Sequence, residues 1–168
     1  MAPYDSEHAS PILSARLLEI EDSGGALVVE VKLADRTDYI ISALDGEERE
    51  YGPVTMAGQF GFVSLAADET LLGAYLLDGT LLSCGATQVN LPQANVALKV
   101  ESVSGRTFHL AEEVPAGLAA DARACLLAAT TGYEIEAATD KTITVRDYPA
   151  IECDEVRLLN SVWLDFVR

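Results

Sequence analysis

Short runs of apolar and polar residues, each closed by a turn signal, follow one another along this chain from its twelfth residue on. The clearest run is Ala26–Leu33, Ala-Leu-Val-Val-Glu-Val-Lys-Leu. In an extended chain Val29, Val31 and Leu33 share one face and Glu30 and Lys32 the other, and that period of two marks a half-buried strand. Ala15–Glu21 is an earlier β-like run, closed by Asp22-Ser23-Gly24-Gly25. Thr37–Leu44 follows and ends at Asp45-Gly46. Arg49–Met56 and Gln59–Leu65 flank Ala57-Gly58, and Leu71–Leu77 and Thr80–Cys84 flank Asp78-Gly79. Asp-Gly between apolar runs predicts a hairpin, because both residues adopt positive φ at low cost. Ala57-Gly58 is a further tight-turn candidate. Ala116–Ala129 is the nearest approach to a helix, but Asp121 and Arg123 interrupt it and Gly117 stands near its start. It reads as a short turn over 116–120 and a strand over 122–128, against alanine's preference for helix.

Residues 1–11 are expected to be a flexible lead-in. Residues 12–84 are expected to be an N-terminal antiparallel sheet region, 85–95 a connecting segment, and 96–168 a C-terminal β region. The pattern is compatible with two domains and with two layers of one sandwich. The C-terminal part holds an internal repeat. Val100-Glu-Ser-Val-Ser-Gly-Arg-Thr-Phe-His-Leu-Ala-Glu-Glu-Val-Pro115 aligns, with one deletion, with Ile135-Glu-Ala-Ala-Thr-Asp-Lys-Thr-Ile-Thr-Val-Arg-Asp-Tyr-Pro149. Each copy predicts a hairpin, turning at Ser104-Gly105 and at Thr139-Asp140. Phe108 and Leu110 share a face of one outgoing arm, Ile143 and Val145 of the other. Two copies are too few for a solenoid. The expected fold is all-β: an antiparallel β-sandwich, or two stacked β-layers or a small barrel, built from hairpins.

Charge narrows the partners. The 168 residues carry 27 acidic and 11 basic side chains, a net charge of −16. Such a surface repels nucleic acid, anionic membranes and sulfated polysaccharides. It serves solubility or salt adaptation, or else attracts cations or basic partners. Hydrophobic residues make up 49% and aromatics only 7%, so the core must be mainly aliphatic. Cys84, Cys125 and Cys153 contain no C-x-x-C pair, which argues against a zinc knuckle. Buried reduced thiols are the expected state, with one disulfide plus a free thiol as the alternative. No apolar stretch reaches the roughly 18 residues of a membrane span. Met1–Pro11 lacks a basic segment followed by an apolar one, so no signal peptide is expected. The chain is expected to be soluble, with its compartment open.

Chemistry-bearing residues are few. His8 lies in the lead-in, and His109 points away from Phe108 and Leu110. There is no G-x-S-x-G elbow and no phosphate-binding glycine loop. Asp45-Gly46-Glu47-Glu48-Arg49-Glu50 offers oxygens to Ca²⁺ or forms a solvated hairpin loop. Asp35 and Asp38 flank Arg36 in a surface turn. No residue is assigned a catalytic, cofactor-binding or metal-binding role. Trp163, in a terminal strand over Val162–Val167 with Phe166, is either a core anchor or an exposed ring that stacks on a sugar. Tyr39, Tyr51, Tyr75, Tyr133 and Tyr148 fall in or beside strands.

From Asp38 on, the chain reads DYIISALDGEEREYGPVTMAGQFGFVSLAADETLLGAYLLDGTLL. This order of strands, polar turn and glycine-bearing hairpin resembles the C-terminal β-domain of heparinase II/III-like polysaccharide lyases, whose "a-x-L-x-x-G-T-x-L" element is matched here by Ala74–Leu82. Val100–Thr107, Val114–Leu118, Gly132–Ile135 and Thr142–Val145 follow the order of the same region, although Gly117–Asp121 lacks the family's second glycine. The resemblance covers roughly residues 15–168. It implies an accessory domain packed against a catalytic lyase domain, whose helical toroid supplies the β-elimination chemistry. No catalytic residue carries over. A structural or assembly protein, such as a virion or tail component, is a second expectation, in which an exposed C-terminal strand adds to a neighbouring subunit's sheet. A carbohydrate-binding module using Trp163 is a third.

Overall fold

In a computed structural model of the chain, residues 10–22, 24–115, 125–149 and 153–164 are described. They form strands β1 (Ile12–Leu17), β2 (Leu27–Leu33), β3 (Arg36–Ser42), β4 (Arg49–Tyr51), β5 (Val54–Ala66), β6 (Leu71–Cys84), β7 (Thr87–Asn90), β8 (Asn95–Ser104), β9 (Thr107–Leu110), β10 (Cys125–Ala128), β11 (Thr131–Ala138), β12 (Thr142–Val145), β13 (Glu155–Leu159) and β14 (Ser161–Leu164). Every element among the described residues is a strand, and the strands pair antiparallel, so the fold is all-β.

Two compact units divide at Leu91/Pro92, and the chain returns to the first unit at Val162. The stretch 85–95 is therefore more than a connector, since Thr87–Asn90 is a strand on β6. The C-terminal strand belongs with the N-terminal sheet.

The first unit is an eight-stranded sheet in the order β1-β2-β3-β5-β6-β14, with β4 also on β5 and β7 also on β6. Two expected turns are absent from it. β5 runs unbroken through Ala57-Gly58, and β6 through Asp78-Gly79. Ala57 pairs with Leu81 and Gly58 with Gly79, which leaves Thr80 as an extra residue in β6. Asp78 takes φ 51°. Asp-Gly supplies the backbone freedom a bulge needs as readily as that of a turn. The glycines serve close approach, because a Cβ on Gly79 would stand 2.6 Å from the Ala57 carbonyl oxygen and 2.8 Å from the Gly58 Cα. The β5–β6 turn instead uses Glu69 at φ 66°, steadied by the Asp68 carboxylate, which accepts from the Thr70 N–H at 3.1 Å.

β2 shows a second departure. Its alternation holds, but the side that enters the core carries Val28 and Glu30, whereas Val29, Val31 and Leu33 are only half-buried. The core of this unit gathers Val28, Ile41, Val63, Ala74 and Leu76 with Tyr51, Val54 and Met56.

The second unit is a closed barrel in the order β10-β11-β12-β9-β8-β13. The sequence repeat is its internal symmetry. Val100 pairs with Leu110 in one hairpin and Ile135 with Val145 in the other. Each hairpin then skips one residue, Glu101 and Glu136 respectively, so the repeated glutamate marks a repeated bulge. The two outgoing arms pair with each other through Phe108↔Ile143, flanked by His109↔Thr142 and Thr107↔Thr144. Exchanging the copies maps this ladder onto itself, which places a pseudo-two-fold axis at the Phe108/Ile143 pair. Phe108, Leu110, Ile143 and Val145 all enter the barrel core, as their shared faces predict. Of the Ala-rich segment, Cys125–Ala128 is a strand, and 116–124 lies outside the described residues.

Candidate functional site

Directly opposed residues of antiparallel strands share a face. The registers Leu17↔Val29, Val29↔Ile40, Ile40↔Phe62 and Phe62↔Tyr75 therefore draw one apolar row across five strands. The row reaches a sixth strand through Tyr75, whose ring lies 5.3 Å from that of Trp163 at 55°. A parallel row runs Leu27, Ser42, Phe60, Leu77, and the Phe60 ring lies 6.2 Å from Tyr75. These residues alternate with the core residues Val28, Ile41, Val63, Ala74 and Leu76, so they occupy the sheet's outer face. In β14 the neighbours of Trp163, Val162 and Leu164, pack on the core. Leu17 and Leu27 are each 59% exposed and Trp163 is 39% exposed. Val29, Ile40, Phe60, Phe62, Tyr75 and Leu77 are half-buried. Lone exposed apolar residues are ordinary, whereas a continuous apolar face marks a contact surface.

The polar centre of that face is satisfied internally. The buried Ser64 hydroxyl donates to Asp38 at 2.6 Å, and Arg36 Nε donates to the same carboxylate at 3.2 Å. Arg36 also lies 3.9 Å from Asp35, so the Asp35–Arg36–Asp38 turn is a local ion pair set.

β1 is the edge of the sheet, and all six of its residues are exposed. Among the described residues it has a strand on one side only. From Ser10 to Leu18 there is no acidic side chain in a chain of charge −16. The Leu18 N–H donates to the Val28 carbonyl at 2.8 Å. By alternation along the strand, Arg16 and Ser14 also turn their main-chain groups to β2, while Leu17 and Ala15 turn theirs outward.

Arg16 is held on the inner side. The buried Glu30 carboxylate accepts from Arg16 Nε at 2.8 Å and from Tyr39 Oη at 3.4 Å, with Lys32 Nζ at 3.7 Å. The hydrogen bond from Arg16 draws the Glu30 carboxyl below its usual range, against the opposing effect of burial. Burial, followed by the Glu30 charge, raises the Tyr39 phenol. Both groups are thus fixed in their ordinary states at neutral pH, and the cluster pins the edge strand in place. The acid is legible as an alternating position in β2, but its burial is not.

Beside Tyr39 a cleft of about 470 Å³ is lined by Thr37, Pro53, Leu65, Glu69 and Cys84. Burial and then the Glu69 charge push the Cys84 thiol up, away from the nucleophilic thiolate. All three cysteines are free thiols, Cys84 buried and the other two half-buried, and burial is the leading cause that raises each.

The remaining candidates separate. Trp163 lies outside both cores, on the outer face beside Tyr75. Phe166 and His8 lie outside the described residues. His109 is half-buried and pairs across to Ser102 and Thr142. In the acidic loop, Asp45 accepts from Arg49 at 2.7 Å and from the Glu47 N–H at 3.1 Å, and the Arg49 bond lowers its pKa. No three His, Cys, Asp or Glu side chains converge to hold a metal ion among the described residues. Those residues include no helix long and apolar enough to cross a membrane. Phe60 and Phe62 were not singled out by sequence reasoning, because their face depends on pairing with distant strands.

Comparison with protein-family models gives no match, and comparison with curated proteins gives none.

Proposed function

We propose that this chain is a non-catalytic β-module that works by attaching to another protein through the outer face of its eight-stranded sheet. The observation that carries the reading is the row Leu17, Val29, Ile40, Phe62, Tyr75, Trp163. Covering the face removes its remaining apolar area from water at about 25 cal/mol per Å², most of it from Leu17, Leu27 and Trp163, since the other residues are already half-buried. The net charge of −16 selects a partner whose apolar patch is rimmed by Lys and Arg. A photo-crosslinking residue at Tyr75, compared with one at the exposed Tyr148 of the barrel, tests this in the source cells. The expected result is one protein adduct specific to position 75. Equal labelling from both positions, or none, would contradict it.

The resemblance to heparinase II/III-like lyases gives this attachment a setting: an accessory domain beside a catalytic domain or a neighbouring subunit. The quoted order of segments supports it. Release of unsaturated uronides by the purified chain would oppose the non-catalytic reading.

A second reading, a sugar-stacking surface, is favoured by the partial exposure of Trp163 beside Tyr75. Quenching or shifting of Trp163 emission by an oligosaccharide, absent with Tyr75→Ala, would support it. A flat titration across neutral and acidic glycans would remove it.

A further inference from the structure

We infer that β1 pairs antiparallel with β1 of a second copy of this chain, joining two sheets edge to edge across a two-fold axis. Ala15 and Leu17 present N–H and C=O outward, since Leu18 spends its N–H on Val28. An unpaired strand edge is a template for another strand.

The edge is self-complementary in one register. With Ala15 opposite Ala15 of the second copy, Leu13 faces Leu17 of the second copy and Ser14 faces Arg16 of the second copy. This register sets the outward-turned Ala15 of each copy opposite the other, which the antiparallel ladder requires, with the β1 bulge at Leu13 at either end of the ladder. It brings Leu17 of each copy to the bulged Leu13 of the other, and the two are 59% and 68% exposed alone. On the inner side it puts a hydroxyl against a guanidinium, with no like charges opposed. Arg16 is the sole charged side chain of β1, and Glu30 already balances it. No proline stands between Ile12 and Leu17 to block the ladder.

A second copy is the occupant the charges allow. The contact strip itself carries no acid, so repulsion between two chains of −16 acts from a distance and is screened by salt. Dimerisation therefore strengthens with added salt, the reverse of an ionic interface. The pairing does not depend on the outer face having a protein partner.

Sedimentation equilibrium of the full chain tests it across a range of salt. The expected result is a monomer–dimer equilibrium that shifts to dimer as salt rises. Ala15→Pro removes an outward N–H without touching the β1–β2 bonds, and Leu13→Lys replaces the facing leucine. Each raises the dimer dissociation constant at least about tenfold, with an unchanged circular dichroism spectrum as the check on folding. A monomer under all conditions overturns the inference. So does a dimer indifferent to both variants, or an open-ended polymer, which would mean pairing of β1 with β14.

Discussion

Arg106 and Lys141 make the same contact on opposite sides of the barrel's pseudo-two-fold axis. Arg106 Nη1 donates to the carbonyl of Arg146 at 3.0 Å, and Lys141 Nζ donates to the carbonyl of Ala111 at 3.3 Å. Main-chain bonds beside them match as well: Val145 donates to the Arg106 carbonyl, and Leu110 to the Lys141 carbonyl, both at 2.9 Å. Each basic residue thus tethers one hairpin turn to the end of the other hairpin's outgoing arm. That explains why the repeat keeps a basic residue before its threonine.

Removing either tether should cost little by itself. Arg106→Ala and Lys141→Ala are each expected to lower stability by about 0.5–1.5 kcal/mol, the usual worth of one hydrogen bond. Arg106→Ala should be the larger, because Arg106 also pairs with Glu136. Urea midpoints of the single and double variants check this. A double variant equal to its worse single would mean the contacts are not independent.

The Gly58/Gly79 crossing predicts a sharper loss. Gly79→Ala places a methyl against the Ala57 oxygen and the Gly58 Cα, in backbone that has no flexible end to give. A destabilisation of about 1–3 kcal/mol is expected. A neutral substitution, measured by thermal unfolding, would put the two glycines in separate turns and break the long β5–β6 ladder.

Much of this was legible in the chain. The period of two and the spacing of turn residues give the all-β class, and the repeated Val/Ile-Glu…Thr pattern gives the paired hairpins of the barrel. What was not legible depends on pairing between distant segments. Asp78-Gly79 carries the same local signal for a bulge as for a turn, and only the length of the facing strand decides between them. Val29, Val31 and Leu33 announce an apolar face, but both faces of this sheet are apolar, so composition does not say which is inner. Trp163 reads from the sequence first as a core anchor, and it stands on the outer face instead for the same reason.

Acid should expose the role of Glu30. Its folded pKa is lowered from 4.5, so its stabilising effect is full above that value and fades as pH falls through the folded pKa. Wild type is therefore expected to exceed Glu30→Gln in stability near about pH 7, with the gap closing below about pH 4.5. Denaturant midpoints at both ends of that range check the sign. A gap that widens in acid would contradict the ion pair with Arg16.

The thiols should resist modification in the folded protein. Cys84 is buried and its thiol is raised by desolvation, so it should react with a disulfide reagent far more slowly than free cysteine. Unfolding in urea should release the reactivity of Cys84 with the first unit and of Cys125 and Cys153 with the second. Fast native labelling of Cys84 would place it outside the core of the first unit.

The most direct test of the account is the emission of Trp163, the one tryptophan in the chain. A ring on the outer sheet face gives a red-shifted native spectrum that acrylamide quenches, and Tyr75→Ala should make it more accessible without unfolding the sheet. A blue-shifted, unquenchable native spectrum would bury Trp163 in the core, reverse the faces of the sheet, and remove the docking surface on which the proposed function stands.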